Sequence, residues 1–113
     1  LLWERVLDEG GQSWSAPTVA RINIADVTQN AFNATVVLGG GYDGVHDTSA
    51  FNSNPDGVGA GIHMLDLFTG QTVWRAGHTS TSADLLHADM TRSMPTRINT
   101  IDINSYLNFY QRA

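Results

Sequence analysis

Two short motifs occur twice in this chain, in the same order, and no other feature constrains the fold as tightly. Leu2-Trp3-Glu4-Arg5 is echoed by Val73-Trp74-Arg75, and Ser15-Ala16-Pro17-Thr18-Val19-Ala20-Arg21-Ile22 by Ser93-Met94-Pro95-Thr96-Arg97-Ile98. The two Trp residues stand 71 positions apart and the two Ser-x-Pro starts 78. After each Ser-x-Pro-Thr run comes an Asp, Asp26 or Asp102, and then another apolar run. Repeats of this kind bury their faces against their neighbours, so the architecture to expect is a stacked or circular array.

The segments between these motifs have the periodicity of strands. Thr18 to Ile24 alternates apolar and polar positions, Ile62 to Asp66 does so less strictly, and Ala34-Thr35-Val36-Val37-Leu38 is a β-branched run suited to a buried strand. Gly10-Gly11, Gly39-Gly40-Gly41, the stretch from Asn52 to Gly59, and Gly70 punctuate them. The one helical candidate, Ser82 to Met90, is too short to be stable by itself. The expected fold is therefore all-β, a partial β-propeller of about two blades of antiparallel strands. A blade of four strands takes about 40–50 residues. The wider offset is accommodated if residues 43–59 form a long loop inserted between strands, within a single domain fragment over residues 1–113.

Composition narrows the function. The chain is 42% hydrophobic, which suits a globular fold, and its net charge is −5. All six basic residues are Arg. With that balance it is not expected to bind nucleic acid nonspecifically, which needs a cation excess to displace phosphate counterions. Cysteine is absent, which excludes disulfides, thiolate metal sites, iron–sulfur clusters and a Cys nucleophile. No apolar run approaches the roughly 20 residues of a transmembrane helix. Leu1 to Arg5 shows neither an initiator Met nor a signal peptide, and both ends interrupt a repeat, so the chain is expected to be a fragment of a larger propeller.

The sharpest local motif is Asp66-Leu67-Phe68-Thr69-Gly70-Gln71-Thr72-Val73-Trp74. Asp and Thr side chains can hold a tight turn, Gly supplies positive φ, and Trp74 returns on the next strand. Gly39-Gly40-Gly41-Tyr42-Asp43 lacks the Lys-Ser/Thr of a phosphate loop and reads as a close backbone approach at the end of an interior strand, with Tyr42 over it. Asn52 to Gly57 opens like a calcium loop but carries His63 at the twelfth position, and reads as an Asx-turn loop. His46, His63, His78 and His87 have no metal-ligand spacing, and Ser13 and Ser15 flank Trp14 without a nucleophile elbow. No catalytic residue and no organic cofactor is nominated.

Taken together, Gln12 to Ile22, Val37 to Asp43, the Gly61-to-Trp74 hairpin, and Ala88 to Arg97 resemble the C-terminal β-propeller of the PilC/PilY family of type IV pilus biogenesis and tip-adhesin proteins of Gram-negative bacteria. The resemblance covers nearly the whole chain. It implies a non-enzymatic structural or interaction module of the pilus (fimbrium) that serves assembly, surface attachment and twitching motility. The implied location is the pilus tip, outer-membrane-associated or secreted. The implied partners are pilin or minor-pilin subunits, a host surface, and the rest of the propeller from the parent chain. It also implies a Ca²⁺-binding loop after the second Ser-x-Pro strand. Of that loop this chain keeps Asp102 and Asn104, while Tyr106, Leu107 and Tyr110 stand at the third ligand, the Gly and the closing acid. Two alternatives stay open: a blade pair of a dehydrogenase-like propeller that uses pyrroloquinoline quinone, and an inactive degenerate fragment.

Overall fold

The computed structural model describes residues 2–47, 54–78 and 83–101. Their core is one five-stranded sheet in chain order, with β1 at Thr18–Arg21, β2 at Ala34–Gly39, β3 at Gly61–Asp66, β4 at Thr72–Gly77 and β5 at Leu85–Leu86. The first three pairings are antiparallel and β4–β5 is parallel, so the sheet is mixed. It does not close on itself; β1 and β5 are its two margins. A single 3₁₀ turn, Gly44–Asp47, completes the regular structure of the described residues.

Local chemistry accounts for the interior of the sheet. The β-branched run of β2 lies between β1 and β3, where Thr35, Val36 and Val37 are buried. Directly paired residues share a face, so the register aligns Thr18, Val37, Met64 and Trp74 in one row. The next row, on the opposite face, aligns Leu38, His63 and Arg75. Among the described residues the buried apolar set is small: Val36, Val37, Leu65, Val73 and Ala76. A bulge between Met64 and Leu65 shifts the β3–β4 register just before their connecting turn.

That turn is built on Asp66, as the motif predicts. Its Oδ1 accepts from the Phe68 and Thr69 amides at 2.8 and 3.1 Å, and the Gly70 amide donates to its carbonyl at 2.8 Å. Gly70 has φ +73°, a conformation that costs a side-chain-bearing residue more than glycine. The Asp66 Oδ2 accepts the amide and side chain of Asn30, tying the β3–β4 turn to the β1–β2 connection. Burial alone would push this carboxyl up, but the Phe68 amide, Asn30 and the Thr69 amide outweigh it and hold it below the usual range.

Two expectations are corrected. β1 stops short of Ile24: the Ile22 amide still reaches the Asn33 carbonyl at 3.0 Å, but Gln29 takes the groups beyond it, its Nε2 donating to the Ile22 carbonyl and its Oε1 accepting the Ile24 amide, both at 2.8 Å. Within the helical candidate Ser82 to Met90, Leu85–Leu86 instead form β5. Asp84 and His87 bond the β4 backbone at Arg75 and Gly77, which draws the segment into the sheet. Trp3 lies outside any strand. Its indole packs over the Asp66–Gly70 turn instead, with Nε1 donating to the Leu67 carbonyl at 2.7 Å. The ring occupies the space a Cβ on Gly70 would need, at 2.5 Å from two ring carbons.

Candidate functional site

The two Ser-x-Pro-Thr copies lie side by side. Ser15 Oγ donates to the Thr96 carbonyl at 3.0 Å, and Thr18 Oγ1 donates to the Ile98 carbonyl. Arg97 Nε donates to the same Thr18 hydroxyl at 3.2 Å. Between the copies runs the triple glycine. A Cβ on Gly39 would overlap the Met94 carbonyl oxygen, one on Gly40 the Gly59 carbonyl oxygen, and one on Gly41 would sit 2.5 Å from the Gln12 carbonyl oxygen. Isolated bridges join Gln12 to Tyr42 and Gly41 to Met94, so three chain segments meet here with no side chain between them. The predicted close approach is what the glycines provide, and Tyr42 is half-buried beside it.

Beyond this junction the same three segments open into a cleft of about 740 Å³. Ala16 comes from the first copy and Trp14 from just before it, Pro95 and Arg97 from the second copy, and Tyr42 and Asp47 from the stretch that follows the glycines. Trp14 is 70% exposed, yet its indole N–H is tied to Gln12 Oε1 at 3.1 Å. The Tyr42 hydroxyl donates to Asp47 Oδ1 at 2.8 Å, and that bond to a carboxylate pushes the phenol's pKa up.

Two aspartates tie together the chain segments that flank the glycine junction. Asp43 is buried; its Oδ1 accepts the Val45 amide at 3.0 Å and its Oδ2 the Gly57 amide at 2.9 Å. The Val45 amide is the chief reason its carboxyl lies below the usual range, with burial opposing it. Asp56, from the Asn52–Gly57 motif, accepts from the Ser93 amide at 2.6 Å, from Arg92 at 3.2 Å, and pairs with His46 at 3.0 Å. Burial works against its charge, but the Ser93 and His46 bonds prevail and hold it down to about 2. In this structure the Asp56 carboxylate fastens the chain before β3 onto the second Ser-x-Pro copy.

The histidines are dispersed. His63 is buried on the sheet beside Arg75, His46 belongs to the Asp56 pair, and His87 Nδ1 accepts the Asp89 amide. Asp102 and Asn104 lie outside the described residues. Sequence reading missed Trp14, Tyr42, Asp47 and Arg97 as a group. The signals for them were a Trp between two serines at a strand entrance and a Tyr directly after a glycine run. What those signals lacked was the backbone bridging that joins the segments. Comparison with family models, curated proteins and solved structures finds no match for this chain.

Proposed function

We propose that this chain is an arc of a β-propeller of about two blades, belonging to a type IV pilus biogenesis and tip-adhesin protein, where it acts as a non-enzymatic interaction module. The observation that carries the reading is the seat of Trp3. The indole of the first repeat copy rests on the Asp66–Gly70 turn that precedes Trp74, the Trp of the second copy. A contact that links one copy of a motif to the turn of the next is what successive units of a repeat array require. The neighbouring Ser-x-Pro-Thr copies are a second support. The open margins at β1 and β5 suit pairing with strands from the rest of the parent propeller.

On this reading the partners are pilin or minor-pilin subunits and a host surface, and the location is the pilus tip at the cell surface. Weak Ca²⁺ binding at Asp102 and Asn104 belongs to the same proposal, and calorimetry with millimolar Ca²⁺ tests it: heat supports it and silence removes it. The main test is genetic and biochemical. Deleting the coding region in its native host should abolish surface pili and twitching, and an antibody to the chain should detect it in sheared pili. Normal piliation together with absence from the sheared fraction would overturn the proposal.

A further inference from the structure

We infer that the cleft between the two Ser-x-Pro-Thr copies is a carbohydrate-binding site that takes a neutral oligosaccharide by stacking a sugar ring on Trp14. This goes beyond the pilus reading and does not depend on it, since it concerns the cleft alone. A pyranose presents an apolar C–H face and a rim of hydroxyls, each both donor and acceptor. A receptor for it therefore needs a flat apolar surface with fixed donors and acceptors at its edge.

Each part is present. Trp14 is a large aromatic left 70% exposed at the cleft, and its bond to Gln12 Oε1 restrains the ring. An aromatic that is wet on its face and anchored at its N–H loses little freedom when a ligand covers it. Ala16 and Pro95 extend the apolar floor. The polar rim supplies both signs. Asp47, already polarised by the Tyr42 hydroxyl, is an acceptor. Arg97 uses Nε on Thr18, and no hydrogen bond among the described residues engages its two Nη atoms, which leaves a planar pair of donors suited to vicinal hydroxyls.

Charge selects the class. One carboxylate and one guanidinium cancel across the cleft, which favours a neutral ligand over a phosphate or a polyanion. The volume of about 740 Å³ lies within the range of small-ligand sites. Backbone bridges at Gln12–Tyr42 and Gly41–Met94 join the three segments whose side chains line the cleft.

The test is saturation-transfer NMR and calorimetry on the intact chain with maltose, lactose and N,N′-diacetylchitobiose. At least one should show transfer concentrated on its ring C–H protons and a saturable millimolar or tighter isotherm. Trp14→Ala should weaken binding by about tenfold or more while the far-UV circular dichroism stays unchanged. Arg97→Gln and Asp47→Asn should each weaken it by a smaller factor, and Trp14→Phe should retain part of it. If none of the three sugars binds, or if binding survives Trp14→Ala undiminished, the inference is wrong.

Discussion

His63 and Arg75 face each other across β3 and β4 in the interior of the structure, 3% and 2% exposed. The guanidinium reaches out to Asp8 at 3.3 Å and Glu9 at 3.0 Å, which brings the N-terminal segment onto this face of the sheet. His63 has a cation as its neighbour and little water. Burial first, and Arg75 second, push its pKa below the ordinary 6.5, with Asp8 opposing them.

A pH dependence follows from that depression. The unfolded chain takes up a proton near pH 6.5, whereas folded His63 resists it, so its contribution is fully present above about pH 6.5 and is lost as pH falls toward the folded value. Urea midpoints measured from pH 8 to pH 5 should therefore fall more steeply for the native chain than for His63→Gln. Parallel curves would show that the imidazole is not held neutral.

Asp56 gives a second, lower window. Its folded value of about 2 lies below the ordinary 3.8, so its stabilisation is present above about pH 3.8 and is lost as pH falls through 2. Asp56→Ala removes the acceptor for Ser93, Arg92 and His46 together and should cost about 2–3 kcal/mol in denaturant unfolding at pH 7. A change below about 0.5 kcal/mol would mean that the brace carries no weight.

The glycine junction allows a contrast between two superficially equal substitutions. Gly39→Ala forces a methyl into the Met94 carbonyl oxygen, and should cost about 1–3 kcal/mol or more because backbone must shift. Gly57→Ala meets only Asp43 Oδ2 at 3.8 Å, an ordinary contact, and should stay within about 0.5 kcal/mol. Thermal unfolding of both variants distinguishes them, and equal losses would refute the close approach.

What could be read from the sequence was what local chemistry decides. β2 and β3 follow from a β-branched run and a partly alternating run, and the β3–β4 turn from the Asp66, Thr69 and Gly70 spacing. β5 has two residues and no period to reveal it; it exists because Asp84 and His87 bond the β4 backbone. The burial of Arg75 was hidden for a related reason. A charged residue in a strand ordinarily marks the wet face, and its compensation comes from Asp8, 67 positions away. The cleft was equally out of reach, since Trp14, Tyr42 and Arg97 come together only through bridges at Gln12–Tyr42 and Gly41–Met94.

The most direct measurement is a double-mutant cycle between Trp3 and Gly70, because the claim that one repeat copy seats on the turn of the other rests on that contact. Gly70→Ala places a methyl in the indole at a φ of +73°, while Trp3→Ala empties the seat at a cost of about 2–3 kcal/mol. With the indole gone, the backbone penalty at Gly70 remains but the collision is relieved. Equilibrium unfolding should then show Gly70→Ala to be about 1–2 kcal/mol less harmful in the Trp3→Ala background than in the native one. Losses that add to within about 0.5 kcal/mol would contradict the seat, and with it the reading of these two copies as adjoining units of one array.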